Sequence, residues 1–141
     1  MHGFLYRIEE RKFEVEVVKK AVSGKDIPSA LGPYSAAVMA GNTLYASGQI
    51  PIDEAGNLIN SSVADALSVI MKNVVSILSV EGMNLDNIVK TTVFSSSMDY
   101  FPEFNEAYAS YFQKPYPARS FIEVSKLPKN AMIEMEFIAV K

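Results

Sequence analysis

Cysteine is absent from the 141 residues of this chain, which excludes disulfides, thiolate metal sites and a cysteine nucleophile and fits a reducing compartment. Histidine is nearly absent as well. The single His2 stands at the chain start, so a zinc site or a Ser-His pair lacks the partners it needs and no metal is expected. There is no excess of basic charge either: 13 Lys and Arg against 16 Asp and Glu give a net charge of −3, a poor footprint for phosphate backbones. No apolar run approaches the roughly 20 residues of a spanning helix. The first twenty residues have no apolar signal region and carry Glu9, Glu10, Glu14 and Glu16, whereas organelle transit peptides are poor in acids. These absences point to a cytoplasmic protein with neither nucleic acid nor membrane as partner. Phosphate-loop, dinucleotide and nucleophile-elbow motifs are missing too: "VSGKD" lacks the upstream glycine, and no G-x-G-x-x-G or G-x-S-x-G occurs.

What is present suits one compact domain, since 49% hydrophobic composition over this length is enough for a core without staples. Phe13, Val15 and Val17 alternate with Glu14 and Glu16, which predicts a half-buried strand over 13–22. After a loop rich in Gly and Pro, "AAVMAGNTLYASGQIP" predicts two short strands turning at Gly41-Asn42. From Val63 to Val80 the residues Val63, Leu67, Ile70, Met71, Val74, Ile77 and Leu78 share one helical face, with Asp65, Ser68, Lys72, Asn73, Ser76 and Ser79 towards the other. Ser61 or Ser62 caps its start and Gly82 ends it. "NIVKTTVFSS" reads as a strand. "MDYFPEFNEAYASYFQ" reads as a second helix, capped by Asp99, with Pro102 in its first turn and a core-facing stripe of Phe101, Phe104, Tyr108, Tyr111 and Phe112.

Residues 115–140, "PYPARSFIEVSKLPKNAMIEMEFIAV", predict a final hairpin of strands over 118–124 and 131–140. Strand alternation puts Arg119, Phe121 and Glu123 on one face, and Ala131, Ile133, Met135, Phe137 and Ala139 form an apolar row. Matching apolar faces across such a hairpin places Arg119 on the side of Glu134 and Glu136, away from the helices. Two readings of that arginine stay open: a cross-strand salt bridge on a wet face, or a guanidinium fork for a substrate carboxylate. The whole pattern is an α+β sheet with two helices on one face, and its other face must meet solvent or another subunit.

Taken in order, "LGPYSAAV", "GNTLYASGQIP", "IVKTTVF", "FNEAYASYF", "PYPARS" and "LPKNAMIEMEFIAV" resemble the YjgF/RidA family of enamine/imine deaminases, from about Lys19 to Lys141. The resemblance implies a chorismate-mutase-like mixed sheet, a homotrimer, and active sites in clefts between subunits. It implies hydrolysis of 2-aminoacrylate and 2-aminocrotonate, or their imine tautomers, to 2-oxo acids and ammonia without any cofactor. By motif it makes Arg119 the anchor for the substrate carboxylate and Glu134 the acid associated with the attacking water. Tyr34, Ser47, Gly48, Asn105 and Phe121 are the further substrate-binding residues it implies. Phe121 stands where many members carry cysteine, and the segment between Asn105 and Arg119 is a few residues shorter than in some relatives. Residues 1–18 precede the usual start and are expected to form an extension, with an added edge strand, to a single domain over 19–141. Two other functions fit the same resemblance: a non-catalytic trimer that binds small 2-oxo or amino acids, and an RNA-directed translation inhibitor or ribonuclease, which the acidic charge disfavours.

Overall fold

The computed structural model describes residues 3–8 and 13–141, with side chains from Val18 onward; His2, Glu9 and Glu10 lie outside the described residues. Strands β1 (Gly3–Ile8), β2 (Phe13–Val22), β3 (Ala37–Ala40), β4 (Thr43–Gln49), β5 (Ile88–Ser95), β6 (Ala118–Glu123) and β7 (Ile133–Val140) pair in the order β1-β2-β3-β4-β7-β5-β6. β2 to β7 make a six-stranded mixed sheet, and β1 pairs antiparallel with Phe13–Val18 of β2. The strand expected over 13–22 and the hairpin around Gly41 are both found, and Gly41 takes the positive φ of +61° that its turn requires.

Helix α1 (Val63–Val80) buries the apolar face read from its sequence, and Leu67, Ile70, Val74, Ile77 and Leu78 are fully enclosed. Each such side chain contributes roughly 1.5–3 kcal/mol. Ser62 caps the helix by accepting from the Asp65 amide at 3.1 Å. Gly82 (φ +69°) closes it, with the Met83 and Gly82 amides returning to the Leu78 and Ser79 carbonyls. Asn73, assigned to the polar side by its type, is buried instead and donates to the Ile52 carbonyl at 3.0 Å. In length and hydropathy α1 matches a short membrane span, but it is a buried core helix packed on β4, β7 and the second helix.

Helix α2 (Phe101–Ala109) is shorter than the aromatic pattern suggests, ending before Tyr111 and Phe112. A 3₁₀ turn over Met98–Tyr100 precedes it, and Ser97, not Asp99, accepts the capping bond, from the Asp99 amide at 3.0 Å. Asp99 donates that amide because it already lies inside the turn.

The largest departure from the sequence reading concerns the end of the chain. β6 and β7 form no hairpin: β5 lies between them, paired parallel with β6 and antiparallel with β7. The cause is α2. A helix between two strands returns the chain in the direction it left, so β5, α2 and β6 make a crossover unit with parallel neighbours. The segment after β6 then passes the end of β5, where Val124 donates to the Ser95 carbonyl and Ser96 to that of Met132. β7 enters between β4 and β5, its apolar row of Ile133, Met135, Phe137 and Ala139 at most 2% exposed.

This topology inverts the predicted facing of Arg119. Residues opposite one another in a ladder share a face. Arg119 is opposite Thr91, and Thr91 is opposite Phe137, a row buried beneath the helices. Glu134 is in register with Phe94 and Ile122, and Glu136 with Thr92 and Ser120, on the sheet face that the helices leave bare. That bare face is partly apolar, carrying Tyr45 at 50% and Ile122 at 44% exposure.

Candidate functional site

The predicted site residues fall into two groups on opposite faces. The first lies on the α2 side of β6, the outermost strand at this end of the sheet. Arg119 is half-buried, and its Nη2 donates to Oδ1 of Asn105 at 2.7 Å. The crossover brings the two together, since α2 lies over the strand that follows it. Around the guanidinium stand four rings, with Cζ 5.0 Å from the centroid of Tyr108, 5.5 Å from Phe104, 5.7 Å from Phe101 and 5.8 Å from Phe121. Among the described residues no carboxylate pairs with it. Tyr108 Oη and Thr91 Oγ1 share a buried hydrogen bond of 2.8 Å directly under the arginine. Burial pushes the Tyr108 phenol above its usual range, opposed by the Thr91 bond and the nearby positive charge.

The second group lies where the β4–β7 ladder breaks, between Ala46 and Gln49. Ser47 Oγ donates to the Ser35 carbonyl at 2.6 Å, and its amide donates to the Ala36 carbonyl at 2.9 Å, fixing β4 to the loop that carries Tyr34. The break brings Gly48 against β7: a Cβ there would overlap Oε2 of Glu134. A side chain at this position would push the Glu134 carboxylate aside. Burial, and next the Glu136 charge, hold the Glu134 carboxyl above the ordinary carboxylate range. Gly48 also borders an open cleft of about 640 Å³, lined among others by Tyr34, Gln49, Ile50 and Lys129. Tyr34 is half exposed at its mouth and its hydroxyl accepts from the Leu31 amide at 3.0 Å.

Asn105, Arg119 and Phe121 are thus brought together, as are Ser47, Gly48 and Glu134 with Tyr34 nearby. The two groups are not brought together within one chain. Two strand spacings of about 4.8 Å separate β6 from β7, and the residues face opposite ways. Reading the aromatic stripe as core alone missed Phe101 and Tyr108 as neighbours of the guanidinium. The available signal was an arginine without an acid beside it on the strand that follows an aromatic helix.

The sequence profile of the Endoribonuclease L-PSP family matches residues 24–141. The 2-iminobutanoate/2-iminopropanoate deaminase of Mus musculus is 39% identical over 126 residues, 89% of this chain and 93% of its own length. A solved structure from Thermotoga maritima superposes with a TM-score of 0.84 at 46% identity, covering 88% of this chain and 98% of the other. The E. coli protein TdcF, solved with bound serine, superposes at 0.81 with 35% identity, covering 86% and 98%. By these matches over most of its length, the chain belongs to the YjgF/RutC/RidA family.

Proposed function

We propose that the protein is a cofactor-independent 2-iminobutanoate/2-iminopropanoate deaminase, a homotrimer whose active sites lie between subunits. The observation that carries the reading is Arg119: a half-buried guanidinium with one amide oxygen and no carboxylate among the described residues as partner. Such a charge is poorly compensated, and its free N–H groups suit a two-pronged bond to a small carboxylate. The relatives support the chemistry, one named for this deaminase reaction and one solved with an amino acid bound. The split of the site residues over two faces supports the assembly. One copy offers the Arg119 cluster at a sheet edge and another offers Glu134 and Gly48 on its bare face.

In the proposed reaction Arg119 and Asn105 hold the substrate carboxylate and align the imine carbon for attack. Glu134 holds a water and takes its proton as the oxygen adds to that carbon. The raised affinity of Glu134 for protons suits it to that exchange nearer neutral pH. Glu134 passes that proton to the substrate nitrogen, and the resulting carbinolamine gives up its hydroxyl proton to the same nitrogen as the C–N bond breaks, releasing ammonia and leaving the 2-oxo acid. One imine and one water give one 2-oxo acid and one ammonia. Residues 1–18 are proposed as an extension of the 19–141 domain that widens its sheet, and the cytoplasm as its compartment.

The test is the loss of 2-aminoacrylate generated in place by a dehydratase, followed by absorbance. Wild-type protein speeds the loss, and Arg119→Ala returns it to the background rate. Equal rates for the two proteins would favour a metabolite-binding role without turnover.

A further inference from the structure

We infer that Phe101 and Phe121, backed by Phe104 and Tyr108, are positioning residues that fix the plane of the Arg119 guanidinium for a bound carboxylate. The inference rests on Arg119 being the carboxylate anchor proposed above. A guanidinium is a flat fork at the end of a long, freely rotating stem, and a two-pronged bond needs that fork in the plane of the carboxylate. One hydrogen bond, to Asn105, does not set a plane, because the group still turns about it. The rings supply the missing constraint. All four centroids lie within the roughly 6 Å over which a cation is attracted to an aromatic face.

The rings also hold one another. Phe121 packs edge-on against Phe101 at 5.1 Å and 76°, and against Phe104 at 5.2 Å and 62°. Phe104 stacks on Tyr108 at 5.3 Å, and the Tyr108 hydroxyl is tied to Thr91, the residue opposite Arg119 in the ladder. A continuous mount therefore runs from the buried floor of the sheet to its exposed rim. Packing alone accounts for Phe104 and Tyr108, which are buried. The rings at the rim are less enclosed: Phe101 is 37% exposed, and Phe121 packs against the core but is only half-buried, so each also presents ring surface to the guanidinium.

The experiment replaces the rim rings in the full chain, as Phe101→Leu, Phe121→Leu and the double variant. Calorimetry then compares binding of 2-oxobutanoate with that of its uncharged amide. Loss of general packing weakens both ligands alike, whereas loss of a fixed guanidinium weakens only the carboxylate. The preference for the acid over the amide is expected to fall about three- to ten-fold in each leucine variant and further in the double variant. Phe101→Tyr and Phe121→Tyr, which keep the ring, are expected to retain it. In turnover, KM for the imine rises more than kcat falls. Preference kept in the leucine variants but lost in Arg119→Ala overturns the positioning role alone. Preference kept in Arg119→Ala overturns the carboxylate anchor and, with it, the positioning role.

Discussion

The Arg119 cluster and the Glu134 cluster are built on the same sheet by opposite means. Around Arg119 the cation is surrounded by rings and one amide oxygen, held from the helix side by α2. Around Glu134 the carboxylate lies against bare backbone at Gly48, on the face no helix covers, with another acid as its charged neighbour. One cluster presents an unneutralised positive charge and the other a carboxylate inclined to keep its proton. On the proposed function each is half of a site for a small acid under attack by water, and neither is complete by itself.

The comparison breaks most sharply at the arginine. Arg119→Ala is expected to abolish catalysed imine hydrolysis, leaving the uncatalysed rate, while the protein keeps its fold as judged by circular dichroism. Gly48→Ala acts on the other half: its methyl group would occupy the place of the Glu134 carboxylate, and displacing that group by about 1 Å is expected to cost on the order of 10²-fold in kcat/KM. Binding of a 2-oxo acid, measured by calorimetry, should weaken far less in Gly48→Ala than in Arg119→Ala. Comparable losses of binding would mean that the two halves do not divide anchoring from water activation.

Smaller effects sharpen the contrast through stability. Tyr108→Phe strips the buried Thr91 hydroxyl of its partner and is expected to cost roughly 1–3 kcal/mol in urea unfolding. Glu134→Gln should act in the other direction. Because the folded protein raises the Glu134 pKa, the native state binds the proton more tightly than the unfolded chain does. Stability from this group is therefore present at acid pH and lost as pH rises through the folded pKa. The Gln variant is expected to melt higher than wild type at neutral pH, with the gain shrinking as pH falls from the raised folded pKa to the ordinary carboxylate value. A Gln variant that melts lower at neutral pH contradicts this account of Glu134.

Much of this architecture is legible in the residues. Alternation located β2, Gly41 the first hairpin, and the period of Val63 to Leu78 the face α1 buries, because each is a local property of a short segment. The pairing of β6 is not local. The apolar row ending in Ala139 can be matched to β6 through its Ile122 face in a direct hairpin or through its Phe121 face with β5 between them, and the presence of α2 decides in favour of the crossover. Reading the final segment as a hairpin put Arg119 beside Glu134, where a salt bridge and a site could not be told apart. The observed sheet removes that ambiguity by removing the pairing. The aromatic stripe carried a related trap, since Phe101 and Phe104 have the spacing of core residues whether or not a cation lies against them.

The central claim is that one site needs two copies of the chain, and mixing inactive subunits tests it most directly. Arg119→Ala lacks one half and Gly48→Ala is impaired in the other. Unfolded and refolded together in equal amounts, the two variants are expected, on the proposed assembly, to form mixed trimers in which some interfaces join an intact Arg119 from one subunit to an intact Gly48 and Glu134 from its neighbour. Random assembly with head-to-tail interfaces restores about a quarter of the wild-type activity. If the mixture is no more active than the average of its two components refolded separately, the site is made within one chain and the claim is wrong.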